Sequence, residues 1–111
     1  MSKEGEIYWM SLDPPIGKEQ KGLRPCVIVS GNSLNTIVGI SMICPLSSNI
    51  KGYKANVLIK SNGQNKLTKD SEVLTHQIRT IDQQRLKRKI GTVSEKELEE
   101  IRKGVTLYLY E

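Results

Sequence analysis

Gly17-Lys18-Glu19-Gln20-Lys21-Gly22-Leu23-Arg24-Pro25 links two stretches that read as β-strands. Before it, Ile7-Tyr8-Trp9-Met10-Ser11-Leu12 reads as a strand that stops at Asp13-Pro14-Pro15, residues that favour a turn. After it, Cys26-Val27-Ile28-Val29 is a short apolar, β-branched run, the pattern of a buried strand. The polar, glycine-punctuated loop between them carries Glu19 and delivers Arg24 to the point where the second strand begins. An arginine fixed beside such a loop is one way to build a phosphate site, because its planar fork of donors matches phosphate oxygens. The same residues also suit a solvated surface.

Downstream, Ser30-Gly31-Asn32-Ser33 reads as a turn. Thr36 to Cys44 reads as a third strand, with Gly39 allowing a bend and Pro45 ending it. The short connection predicts antiparallel pairing of the second and third strands. Ala55-Asn56-Val57-Leu58-Ile59 is a fourth strand, followed by a polar segment, Lys60 to Lys66, with a turn signal at Asn62-Gly63. Glu72 to Ile81 reads as one long strand. Its alternation predicts that Gln77 and Arg79 share one face while His76 points from the other. Asp82 to Leu86 reads as a single helical turn, and Lys89 to Val93 as a short strand.

Ser94-Glu95-Lys96-Glu97 is a capping box, in which the serine and the second glutamate each satisfy an amide of the other. From it Leu98, Ile101, Val105, Tyr108 and Leu109 fall at helical spacing. That stripe predicts core packing, with the helix tail available for a subunit contact. Several short strands without βαβ alternation, closed by one helix, predict a mainly β fold: a small, curled antiparallel sheet or barrel.

A chain of 111 residues is expected to form a single domain spanning 1–111. Its net charge of +5 favours a polyanionic partner, though a soluble basic protein would carry the same balance. Phe is absent and aromatics are scarce, which counts against an RNA binder built on many exposed rings. Cys26 and Cys44 both lie in apolar runs and are expected to be buried free thiols of a cytoplasmic protein. No apolar run approaches the roughly 20 residues of a membrane span.

The loop belongs to a wider pattern. Gly5-Glu6-Ile7-Tyr8-Trp9, Leu12-Asp13-Pro14, Gly17-Lys18-Glu19-Gln20 and Arg24-Pro25 resemble the opening of the MazF/PemK family of toxin endoribonucleases. Pro45-Leu46-Ser47-Ser48 with Lys51-Gly52-Tyr53 is similar to that family's second motif. Asp70-Ser71-Glu72-Val73-Leu74 and Gln77-Ile78-Arg79-Thr80-Ile81-Asp82 resemble its third. The blocks stand in family order from Gly5 to the C-terminal helix. The resemblance implies an SH3-like barrel with a C-terminal helix. It also implies a toxin that cleaves single-stranded mRNA at short sequences, leaving a 2′,3′-cyclic phosphate and a 5′-hydroxyl. A homodimer and a cognate acidic antitoxin are implied as partners.

Cleavage by an adjacent 2′-hydroxyl needs a base, stabilisation of charge on the phosphorane, and an acid for the departing 5′-oxygen. Arg24 suits the phosphorane role but is a poor acid or base. The resemblance implies Ser47 as a catalytic hydroxyl, where the family commonly has Thr. Glu19, carried on the polar loop, suits the base, although a solvated loop carboxylate is an equal reading. Gln20, Ser48, Lys51, Gln77 and Arg79 are the RNA-binding candidates. Gln77 also fits a satisfied strand glutamine, and Arg79 a carboxylate partner. The family usually has an acidic residue where this chain has His76, which is expected to be structural or a surface group. Lys87-Arg88-Lys89 reads as a solvated basic face or an RNA guide. One His, no His-x-His and no Cys-x-x-Cys leave no metal-ligand pattern, so neither metal nor cofactor is expected. Two rivals remain: a CcdB-type gyrase inhibitor, which has no need of Arg24 with Ser47, and a small RNA-binding barrel without catalysis.

Overall fold

The structure, a computed structural model of the chain, describes residues 2–12, 22–37 and 39–111. Among them, strands β1 (Glu6–Ser11), β2 (Leu23–Ile28), β3 (Ile40–Ser47), β4 (Val57–Ile59), β5 (Ser71–Val73), β6 (Arg79–Asp82) and β7 (Leu86–Thr92) join in one curled sheet. Its order is β4-β5-β3-β2-β1-β7, with β6 pairing β3. All of the pairings are antiparallel. The described residues also form two α-helices, α1 (Asn32–Ile37) and α2 (Glu95–Tyr110).

The central strands are buried on both faces, which explains why β2 reads as a continuous apolar run. One face sends Ile7, Val27, Cys44 and Leu46 into a core closed by Leu98 and Ile101 of α2. The other sends Met10, Cys26, Ile28 and Ile43 into a second core with Ile81. α2 starts as its sequence dictates: Ser94 Oγ accepts from the Glu97 amide at 3.1 Å, and Glu97 accepts from the Ser94 amide at 2.8 Å. Gly104 lets the helix lie against Ala55, since a Cβ there would come within 2.1 Å of the Ala55 carbonyl oxygen. The predicted stripe is buried at Leu98 and Ile101, but its end, Tyr108 and Leu109, is exposed.

Three expectations differ from the structure. Thr36 and Ile37 close a short helix and do not open a strand. Buried Asn35 accounts for this: its amide donates to the Ser30 carbonyl at 2.9 Å and its carbonyl accepts from Ser41 Oγ at 2.8 Å. A satisfied buried side chain of this kind outweighs the β-propensity of its neighbours. Pro45 does not end β3, which continues to Ser47. The proline sits where one side of β3 changes partner, after Ile43↔Arg79 and before Leu46↔Val73. Its carbonyl still accepts from the Leu74 amide at 2.9 Å. Finally, the long strand from Glu72 to Ile81 is broken into β5, a 3₁₀ turn at Thr75–Gln77, and β6. Asn56 pulls the chain out of extended geometry, accepting from the Thr75 amide at 3.1 Å, while Thr75 Oγ1 lies 2.9 Å from the Ala55 carbonyl oxygen.

Candidate active site

The β2–β3 ladder runs through Ile28↔Ile43, Val27↔Cys44 and Cys26↔Pro45. The pairing ends at Cys26 and Pro45; two residues further along β2 and β3, on the same side of the sheet as those two partners, lie Arg24 and Ser47. Both side chains line a cleft of about 520 Å³, which Ser48, Lys51 and Gln77 also line. Arg24 is half-buried and Ser47 is buried. Ser47 Oγ accepts from the Asn49 amide at 3.1 Å, which orients the oxygen and keeps the hydroxyl hydrogen as a donor.

The rim is built differently. Residues 48–56 have no regular structure, and Glu72 ties them down. Glu72 faces Ser47 across the β3–β5 pair and is only 3% exposed. Its carboxylate oxygens accept from the Lys51 amide at 3.0 Å and the Tyr53 amide at 3.1 Å. Sequence reading assigned Glu72 no role. The available signal was a lone carboxylate set into the apolar run Glu72-Val73-Leu74, where a buried acid must find donors.

His76 and Gln77 line the same cleft. The expectation that they face opposite ways is corrected by the 3₁₀ turn, which abolishes the alternation of a strand. The His76 ring is exposed, and its Nδ1 lies 3.1 Å from Asn56 Oδ1. Because that oxygen already accepts from the Thr75 amide, Nδ1 is the donor.

Arg79 stands on β6 opposite Ile43 and is not among the residues that line this cleft. It lies near Cys26, where its charge and that of Arg24 both act on the thiol. Burial nevertheless pushes Cys26 and Cys44 up to about 12, and both are free thiols within the core. Glu19 and Gln20 lie outside the described residues.

A second cleft, of about 640 Å³, shares Arg24 and Ser48 with the first and extends the groove past Trp9, Lys66, Lys69 and Arg88. Lys89 also borders it and pairs with Glu6 at 2.7 Å. Burial pushes the Glu6 carboxyl up. Lys89, the Lys3 amide and the Tyr8 hydroxyl together outweigh it and hold the group below its ordinary value. Among the described residues no three His, Cys, Asp or Glu side chains gather where they could hold a metal. No described helix is long and apolar enough to cross a membrane.

A groove lined by an arginine and a hydroxyl, with lysines along it, is suited to engaging a phosphodiester chain. A family model described as PemK-like, MazF-like toxin of type II toxin–antitoxin system matches residues 3–109. An endoribonuclease MazF of Staphylococcus saprophyticus is 32% identical over 110 residues, covering 98% of this chain and 92% of the relative. The crystal structure of a MazF from Deinococcus radiodurans matches with a TM-score of 0.84 at 25% identity, covering 99% of this chain and 97% of that one. A MazE–MazF structure from the same organism matches at 22% identity with a TM-score of 0.75, covering 98% and 95% of the two chains, a likeness of fold.

Proposed function

The chain belongs to the PemK-like, MazF-like toxins of type II toxin–antitoxin systems, and we propose that, as an endoribonuclease of that family, it cuts single-stranded RNA at short specific sequences without a metal. The 2′-oxygen attacks the adjacent phosphorus and the bond to the 5′-oxygen breaks, giving a 2′,3′-cyclic phosphate and a 5′-hydroxyl. Arg24 neutralises charge gathering on the phosphorane, where a preorganised donor acts most strongly. Ser47 donates to the phosphate or the leaving oxygen. Glu19 takes the proton of the 2′-hydroxyl, and a proton returns to the 5′-oxygen. Gln20 and Gln77 read base edges, while Ser48 and Lys51 hold the strand and Arg79 adds positive field from β6.

The observation that carries this reading is that Arg24 and Ser47, from the neighbouring strands β2 and β3, line one polar cleft. The basic groove beyond it supports a strand several nucleotides long. The net charge of +5 supports neutralisation by an acidic antitoxin through complementary fields. The exposed apolar end of α2, with Leu109 62% and Tyr110 82% exposed, supports a homodimer contact. In this reading residues 1–111 form one toxin domain acting on cytoplasmic mRNA.

The test is incubation with a long single-stranded RNA in EDTA, with the ends of the fragments mapped. Cuts at a recurring short sequence, carrying cyclic phosphate and 5′-hydroxyl ends, are expected. Cutting that occurs in buffer but vanishes on chelation would overturn metal independence. Binding with no cutting under either condition would leave only an RNA-binding barrel. The same target should be cut in a loop and spared in a stem, because side chains do not reach the bases of A-form duplex through its deep groove.

A further inference from the structure

Aromatic rings are scarce in this chain, yet three from distant segments form a chain of ring contacts, and two of the three line the cleft. Tyr53 comes from the rim, His76 from the 3₁₀ turn and Tyr108 from the end of α2. Tyr53 and His76 have ring centroids 5.5 Å apart with planes at 76°, and His76 and Tyr108 are 5.6 Å apart at 68°. Each is tethered by a polar bond. The Tyr53 amide donates to Glu72, His76 Nδ1 donates to Asn56, and the Tyr108 hydroxyl accepts from the Ala55 amide at 3.2 Å. The bonds hold the Tyr53 backbone, the His76 ring and the Tyr108 hydroxyl without covering the rings: Tyr53 is 49% exposed and Tyr108 37%. Edge-to-face packing of this kind leaves ring faces open to a further planar group.

Tyr53 and His76 also line the cleft that holds Arg24, Ser47 and Lys51. Cations tracking a backbone next to exposed rings are the two components of single-strand recognition. We propose that Tyr53, His76 and Tyr108 form a nucleobase-stacking subsite, which holds one splayed base of the RNA strand beside the phosphate that Arg24 and Ser47 engage. The inference rests on the reading of the cleft as an RNA site and adds a specific property to it. Stacking accepts any base, because every base has a π-face. The subsite therefore contributes affinity at one nucleotide position without selecting its identity, whereas the glutamines select at others.

An abasic walk tests this. The probe is an RNA spanning the mapped cut, with a 2′-deoxynucleotide at the cleaved position so that the nucleophile is missing and binding is measured alone. For the unaltered chain, removing the base at one position is expected to weaken binding on the order of tenfold. All four bases at that position should bind alike. In Tyr53→Leu and in Tyr108→Leu that position-specific loss should disappear, and Tyr53→Phe, which keeps the ring, should restore it. Uniform responses along the RNA in the unaltered chain, or Leu variants that weaken every RNA by one common factor, would overturn the subsite. So would Leu variants that change only the sedimentation behaviour of the protein, since the rings would then be a contact between copies. Cleavage of ordinary RNA without position-specific coupling removes the subsite and leaves the nuclease reading intact. Position-specific coupling in the same walk along a bound RNA that is never cut does the reverse.

Discussion

Arg24 and Ser47 stand on strands paired along their length, whereas Lys51 and Tyr53, on the same cleft, sit on irregular chain tied to the Glu72 carboxylate. The floor inherits its geometry from a ladder that is buried on both faces. The rim inherits its geometry from a few side-chain-to-backbone hydrogen bonds. Groups that stabilise a transition state need fixed geometry, and rigid elements supply it better than loops do. Groups that hold a variable strand tolerate the looser support.

The largest contrast should appear in local opening. Cys26 lies beneath Arg24 in the core, and its buried thiol and that of Cys44 are pushed up to about 12. Their labelling in native buffer should be roughly 10³-fold or more slower than in denaturant, because only near-global unfolding reaches them. The Lys51 and Tyr53 amides should exchange well before those of β2 and β3. Fast native labelling would break the distinction. Because both thiols titrate higher in the folded state than their ordinary value of 9.0, their contribution to stability is intact below about pH 9 and is lost as pH climbs towards 12. A pH series of denaturant melts checks the sign.

Next comes the floor itself. Arg24→Lys keeps the charge but loses the planar fork, and should cost on the order of 10²-fold or more in single-turnover cleavage, like loss of an oxyanion donor. RNA affinity should fall far less, because many cations share ground-state binding. Ser47→Ala should lose most activity, and Ser47→Thr should retain it. Unimpaired cleavage by both Arg24→Lys and Ser47→Ala would remove the floor from the chemistry. Weaker binding with an unchanged bound-state rate would make Arg24 a docking residue.

The rim should respond more mildly. In Glu72→Gln the amide nitrogen cannot accept, so one of the two loop bonds is lost, at about 1–3 kcal/mol of stability. Exchange at Lys51 and Tyr53 should accelerate, and RNA should bind on the order of tenfold more weakly with a nearly unchanged cleavage rate. A fall in rate as large as that of Arg24→Lys would erase the distinction between floor and rim. Smallest is the Glu6–Lys89 pair at the edge of the second cleft, because Lys89 is 48% exposed. Lys89→Met should change stability by less than about 1 kcal/mol. Since Glu6 titrates below its ordinary value, that small effect is present at neutral pH and fades as pH falls through the folded-state value. A thermal melt at neutral and acid pH measures it.

Features written in short windows were legible in the sequence. They include β1 and β2 around the polar loop, the Ser94–Glu97 cap, the turn at Gln83–Arg85 and the mainly β class closed by one helix. β3 was legible only in part. Its propensity was correctly read, but Asn35 claimed its predicted start, and at Pro45 the exchange of one neighbouring strand for another let it continue.

The residue types at the site, an arginine fork and a hydroxyl, follow from the sequence alone, because their chemistry belongs to the side chains. That both line one cleft depends on the antiparallel pairing of β2 with β3, which arises only when apolar faces on both strands are buried together. The Glu72 tie to residues 51 and 53, and the meeting of Tyr53, His76 and Tyr108, join segments up to 55 residues apart. No local propensity encodes such contacts. They exist because packing α2 and the 3₁₀ turn against residues 53–56 gives partners to the buried Glu72 carboxylate and to the backbone amides of Lys51, Tyr53, Ala55 and Thr75.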